Sequence, residues 1–249
     1  KHIIIFSIIL LSSLGQGLAQ DSLLQQGNKL YQDKEYEKAI DSYQKLIDNG
    51  YESAALYYNI GNAYFKKHQL GPAILYYEKA KTLAPNDSDI QYNLEMARSL
   101  TVDNIEKIPP IVIQRWYNEL ITIFTPKTWG IMSQFLFVVG LALLLVYFLA
   151  NRLGLKKAGL WLGSILLLFS IISWTFGMSR QNKITHHHQA IVMAPSVTVK
   201  STPDESGNKL FTIHEGTKVT LQDSLDNWRE IRLSDGKQGW IKVSGLEQI

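Results

Sequence analysis

Few side chains in this sequence are spaced for covalent chemistry. His186, His187 and His188 are adjacent and could ligate a transition metal, but no carboxylate or further histidine stands near them. A solvated stem is the simpler reading. His68 and His214 have no partner nearby in sequence, and Glu35 and Glu37 lie on a turn where paired acids read as a solvated face. The chain has no cysteine, which removes disulfides, zinc–thiolate sites, a cysteine nucleophile and a lipoprotein-type anchor. It contains no phosphate-cradling glycine loop, no HExxH, no GxSxG and no nucleophile–base pair at a recognisable spacing. No enzyme, metal or cofactor is therefore expected. What stands out instead is a set of groups suited to hydrogen bonding and stacking: ten of the twelve tyrosines fall between Tyr31 and Tyr92.

Those tyrosines lie in a segment that repeats itself. GNKLYQDKEYEKAIDSYQKLIDNGY returns as GNAYFKKHQLGPAILYYEKAKTLAP, with Gly27/Gly61, Asn28/Asn62, Ala39/Ala73, Ile40/Ile74 and Tyr43/Tyr77 each thirty-four residues apart. A fixed period of this length marks stacked supersecondary units. Each unit is expected to be a helical hairpin. The small Gly27/Gly61 and Ala39/Ala73 let the helices approach, and Tyr43/Tyr77 fill the space beyond. Pro85 stops the last helix of the second unit. Ser88 to Leu100 then reads as a capping helix, so residues 20–100 form one all-α domain.

The repeat resembles the tetratricopeptide family, most fully in SAALYYNIGNAYFKKHQLGPAILYYEKAKTLAPND. The first unit departs from it at Leu23, where the family often has Trp, and at Tyr51, where it usually has Pro. In that family the first helix of each hairpin lines a groove that takes up segments of other proteins. Carried over by position, the resemblance implies Leu24, Asn28 and Tyr31 from the first unit, and Tyr58, Asn59, Asn62, Phe65 and Lys66 from the second. The capping helix adds Tyr92 and Asn93. An asparagine amide both donates and accepts, which suits a peptide backbone. The other reading, strongest for Asn62, is that these amides hold the repeats together. One subtype of the family grips a C-terminal carboxylate with lysines, but Leu24 and Asp89 stand at those positions here, which argues against that ligand.

Two later runs are long and apolar enough to cross a bilayer: Trp129 to Ala150 and Ala158 to Met178, both uncharged. Gln134 is the lone candidate in them for a strong interhelical hydrogen bond. Without Asp, Glu, Lys, Arg or His, the runs do not suit a transporter or pump. Residues 151–157 between them read as a cytoplasmic turn bearing Arg152, Lys156 and Lys157. The chain opens with Lys1, an apolar run and small residues at Gly17 and Ala19, the pattern of a secretory signal peptide over 1–19. Together these place residues 20–128 and 179–249 outside the cytoplasm. Within 101–128, Ile111 to Phe124 reads as an amphipathic helix, lying either at the membrane surface or against the repeats. The formal net charge of +3 traces to Lys1 and to basic residues flanking the apolar runs, which suits lipid headgroups and argues against nucleic acid.

After a stem at 179–189, residues 190–249 turn strand-like, with short runs at Val197–Val199, Lys218–Leu221, Trp228–Leu233 and Gly239–Val243. Four to six strands in sixty residues suggest a small barrel. The order VKSTP, EGTKV, Trp228, DGKQGWI resembles bacterial SH3-like domains. Trp228 and Trp240 could stack in a ligand groove, although at least one of them is expected in the core. In that family the ligands are cell-wall peptides or protein segments.

The full order of parts resembles the BatE-type proteins of the Bacteroides aerotolerance operon. That resemblance implies a two-pass inner-membrane protein with both soluble parts in the periplasm, binding other Bat-type membrane proteins and supporting oxygen tolerance. The expectation is a scaffold made of all-α repeats, a transmembrane hairpin and an all-β SH3-like barrel. The alternative is an envelope sensor whose SH3-like part binds cell-wall peptide.

Overall fold

The computed structural model describes residues 22–103, 105, 111–185 and 188–249. The expected signal peptide, Pro109, Pro110, His186 and His187 lie outside the described residues. The described residues fall into two units. One joins the repeat helices to the C-terminal strands, and the other holds the two long apolar helices.

The repeat helices are α1 (22–32), α2 (Tyr36–Asp48), α3 (Ala54–Lys66), α4 (Leu70–Leu83) and α5 (Ser88–Ser99). Local chemistry starts two of them. Ser53 accepts from the Leu56 N–H ahead of α3, and Asp87 accepts from the Asp89 and Ile90 N–H groups ahead of α5. The period is visible in the backbone as well. Lys34 and His68, thirty-four residues apart, both turn between helices with positive φ, at 63° and 60°. His68 is therefore a turn residue, of a type enriched at such angles.

Close helix approach explains the repeated glycines. A Cβ on Gly61 would lie 2.6 Å from the Tyr77 ring, and one on Gly27 would lie 2.4 Å from the Tyr43 ring. Both rings are essentially inaccessible to solvent. Each hairpin thus packs an aromatic face directly onto backbone, which only glycine permits.

The strands are β1 (Gln189–Val192), β2 (Ser196–Lys200), β3 (Lys209–His214), β4 (Lys218–Leu225), β5 (Trp228–Arg232), β6 (Gln238–Lys242) and β7 (Leu246–Gln248). They pair antiparallel in the order β3-β2-β6-β5-β4-β1-β7. This is an open seven-stranded sheet rather than the closed barrel expected, because β3 and β7 each have only one partner strand. Its apolar side is built from Ala190, Val192, Val199, Ile213, Val219, Ile231 and Ile241.

The second unit contains α6 (Val112–Thr122), α7 (Pro126–Leu149) and α8 (Leu153–Thr185). Thr125 caps α7, accepting from the Thr128 N–H, and Pro126 occupies its first turn. Helices α7 and α8 are each long and apolar enough to cross a membrane. Helix α7 starts before its expected span, at Pro126, and ends one residue short of it, at Leu149, while α8 outruns its span at both ends. Helix α8 begins at Leu153, so Lys156 and Lys157 stand on its first turns, and the link between the helices is Ala150 to Arg152. It also runs through Ser179–Thr185, where a stem was expected.

Small residues bring α7 and α8 together. A Cβ on Gly159 would lie 2.7 Å from the Leu143 carbonyl oxygen, and one on Gly163 would lie 2.9 Å from that of Gly140. Ser133 and Ser170 donate to each other's carbonyls at 3.0 and 2.9 Å, and Ser173 donates to that of Trp129 at 2.9 Å. Helix α6 packs on this pair through buried Ile121 and an edge-to-face cluster of Tyr117, Phe124, Trp129 and Phe176. Its Ile113 and Trp116 stay exposed.

Candidate peptide-binding groove

The asparagines marked by the resemblance come together as two similar rungs one repeat apart. In the first, Tyr43 donates its hydroxyl to Asn28 Oδ1 at 2.8 Å, and Asn59 Nδ2 donates to the same oxygen at 3.1 Å. In the second, Tyr77 donates to Asn62 Oδ1 at 2.7 Å and Asn93 Nδ2 donates to it at 2.9 Å. Asn93 Nδ2 also meets the Tyr58 hydroxyl at 2.8 Å. Burial pushes the Tyr43 hydroxyl up to about 12 and raises that of Tyr77 as well, so both remain protonated donors.

Each rung is thus a fixed device. Its central oxygen is saturated by two donors, which orients the amide. Among the described residues, that leaves the Nδ2 groups of Asn28 and Asn62 without an acceptor, and the Oδ1 atoms of Asn59 and Asn93 without a donor. Every rung therefore keeps an unspent amide NH2 and an unspent amide oxygen, groups that complement a backbone peptide. The asparagines thus tie neighbouring helices together, and each also keeps a polar atom that those bonds do not use.

The other marked residues divide by exposure. Lys66 and Tyr92 are exposed, Tyr92 at 64%. Tyr31 and Tyr58 are half-buried, the latter stacked at a tilt on Tyr77. Leu24 packs against the cluster of Ala39, Tyr43 and Leu46, and Phe65 packs against that of Ile74 and Leu94. These two are partly core.

Sequence reasoning missed what packs on the repeat helices. The sheet docks on α4, the second helix of its hairpin, and shares a core with it: Ile191 and Ile249 pack with Ile74, Leu75 and Tyr77. The β3–β4 turn is the docking tip. Gly216 has φ +86°, and a Cβ on it would meet Thr101 Cγ2 at 2.7 Å and Ile74 Cδ1 at 2.9 Å. Gln69 gives α4 no side-chain cap; Glu215 accepts from the Gly71 N–H at 2.9 Å and supplies an anion at that helix start. Deeper in, Glu78 bridges Arg98 and Lys218, the latter at 2.8 Å. Burial alone would raise the Glu78 carboxyl, but Lys218 and Arg98 outweigh it and hold the group below the usual carboxylate range.

His214 has a partner after all. Asp103 meets its Nδ1 at 2.8 Å, and also accepts from its backbone N–H and from the Thr217 hydroxyl, both at 2.6 Å. Burial pushes the Asp103 carboxyl up, yet these hydrogen bonds win and leave it below its ordinary 3.8. A depressed folded pKa contributes stability that is complete above 3.8 and fades as pH falls through the folded value. Thermal melting of Asp103→Asn beside the parent checks this: the gap should be constant above about pH 5 and close in stronger acid.

On the sheet, Trp228 and Trp240 alternate with the buried Ile231 and Ile241, and the register places both on the outward face. Neither is in the core, contrary to expectation, because the core side is filled by aliphatics. The Lys200 and Lys242 ammoniums stand 5.5 and 5.7 Å from the Trp228 ring, and Glu205 pairs with both lysines.

Comparison with known proteins agrees with the repeat architecture: residues 54–87 match the tetratricopeptide repeat. That segment is α3 and α4, the hairpin carrying Tyr58, Asn59, Asn62, Phe65 and Lys66. No curated protein matches the chain. A repeat of this family suggests contact with other proteins.

Proposed function

We propose that the chain is a non-catalytic, two-pass membrane scaffold whose repeat groove binds an extended segment of a partner protein. The observation that carries this is the pair of asparagine rungs, each with an unspent amide NH2 and an unspent amide oxygen, flanked by exposed Lys66 and Tyr92. The sheet supports the reading by where it docks. It packs on α4, while Asn28, Asn59, Asn62 and Asn93 on α1, α3 and α5 stay partly exposed.

The shared core bears on topology. The repeats precede α7–α8 and the sheet follows them, yet Ile74 packs with Ile191 and Ile249. Two segments of one core lie on one side of a membrane, so an even number of crossings must separate them. Two helices of sufficient length are present. With the secretory pattern of residues 1–19, this supports a periplasmic location for both in a bacterial inner membrane. A place among envelope proteins of oxygen tolerance, with Bat-type partners, rests on the resemblance of domain order alone.

The test is affinity purification of the tagged chain from its native membranes beside a Lys66→Ala/Tyr92→Ala double variant. Exposed aromatic residues often dominate peptide binding. The variant should lose a partner set at least tenfold while its melting changes by less than about 1 kcal/mol. Equal recovery from both would refute the groove. Asn62 is unsuited to this test, because its loss would also strand Tyr77 and Asn93. The outward Trp228 and Trp240 favour a second reading, a sensor binding cell-wall peptide. It requires that isolated cell wall retain the chain, and that Trp228→Ala abolish retention.

A further inference from the structure

The hairpin leaves a side-chain amide, that of Gln134, where lipid would be. Ser133, Ser170 and Ser173 make the hydrogen bonds between α7 and α8, so Gln134 is not needed there. Its side chain is exposed, facing away from α8, and has no hydrogen-bond partner among the described residues. At 1.5 Å per residue it lies about 7 Å further along the helix than Trp129, whose ring suits the headgroup layer. The other polar side chains of the runs carry at most a single hydroxyl or indole N–H, exposed Ser164 and Tyr147 among them. Ser170 and Ser173 bond across the helix pair, and Thr175 donates to the Ile172 carbonyl of its own helix. A glutamine amide, with two donors and an oxygen, leaves more unsatisfied in hydrocarbon.

Gln134 also sits on an ordered surface. Ile131, Gln134, Val138, Leu141 and Leu145 recur at alternating three- and four-residue steps on the side of α7 away from Ser133 and Gly140. That is the seam spacing of a helix that pairs with another helix. We propose that this seam joins two copies of the chain within the membrane, each Gln134 amide donating to and accepting from its counterpart. The amide is self-complementary, so one residue type satisfies both sides. Depth selects the same partner: a two-fold axis along the membrane normal returns Gln134 to the same depth in the second copy. A different protein would need its own polar group at that depth.

The proposal rests on the membrane reading above, and the absence of cysteine makes both testable in one preparation. Full-length chains carrying Val138→Cys or Leu168→Cys are placed in membranes, extracted with alkaline carbonate, and oxidised. Leu168 is exposed on α8 and serves as the comparison site. The chain should stay with the membrane. Val138→Cys should cross-link to a dimer of the chain, and Leu168→Cys should not. Adding Gln134→Leu should cut the Val138→Cys dimer about tenfold. Release by carbonate would overturn the membrane reading and the proposal with it. Retention with no dimer, with equal cross-linking at both sites, with no effect of Gln134→Leu, or with a product containing another protein would overturn the proposal alone.

Discussion

Replacing Glu78 with glutamine is expected to destabilise the repeat–sheet unit by about 3 kcal/mol, far beyond a surface substitution. Glu78 is 3% exposed and is the shared counter-ion of Arg98 and Lys218. Glutamine keeps the volume but removes the charge, leaving two cations beside a buried amide that can serve neither fully. Removing one partner of a buried ion pair costs about 3–5 kcal/mol. The low end applies because Arg98 and Lys218 keep 23% and 26% of their side-chain surface in contact with water. The cost should fall on the docking of the sheet, since Arg98 belongs to α5 and Lys218 to β4. Denaturant melts measure the total, and limited proteolysis should show the C-terminal strands released first. An unchanged midpoint would mean that the apolar contacts of Ile74, Ile191 and Ile249 hold the sheet alone.

A second large effect is expected at the glycine–tyrosine contact. Tyr77→Ala should cost about 3–5 kcal/mol, because it empties a fully buried ring site and removes a donor from Asn62. Gly61→Ala should cost about 1–3 kcal/mol despite the better helix propensity of alanine, since its Cβ lands 2.6 Å from that ring. The double variant should be no worse than Tyr77→Ala alone. With the ring gone the new methyl meets no clash, and alanine regains about 1 kcal/mol of helix propensity. A double-mutant cycle by chemical denaturation therefore predicts strong non-additivity. Simple addition of the two single losses would mean that glycine is required at 61 for some other reason.

These two sites mark what could and could not be read in the sequence. The Gly61–Tyr77 contact lies within one hairpin and recurs as Gly27–Tyr43, so the repeat period alone makes it legible. The apolar helices were legible for a similar reason: composition alone reports a span of that length. The docking interface had no such signal. Lys218 meets Glu78 across 140 residues, Glu215 meets Gly71 across 144, and His214 meets Asp103 across 111. Each partner looks like an ordinary surface residue in its own segment. Glu215-Gly216 was legible as a turn, but not as the tip that caps α4. Strand β3 escaped notice because Lys209–His214 alternates weakly and lies at the sheet edge. The closed barrel was inferred from strand number, which does not by itself decide whether the end strands meet.

The candidate site was half legible. The family resemblance marked Asn28, Asn59, Asn62 and Asn93, but which amide atom each spends on its neighbours depends on Tyr43 and Tyr77, fifteen residues from Asn28 and Asn62. That division of labour decides which side chains can be altered without loosening the repeats, and it moves the functional test from Asn62 to Lys66 and Tyr92.

The central claim is that one soluble unit, built from both ends of the described chain, is carried on one side of a membrane by a hairpin. Side-specific thiol labelling of sealed cells or vesicles tests it most directly, with single cysteines at exposed turns: Asp33→Cys in the repeats, Asp226→Cys in the sheet and Asn151→Cys between the long helices. The account predicts that positions 33 and 226 label together from the outer side, and that 151 labels only after permeabilisation. Labelling of 33 and 226 from opposite sides, or of all three from one side, would contradict it.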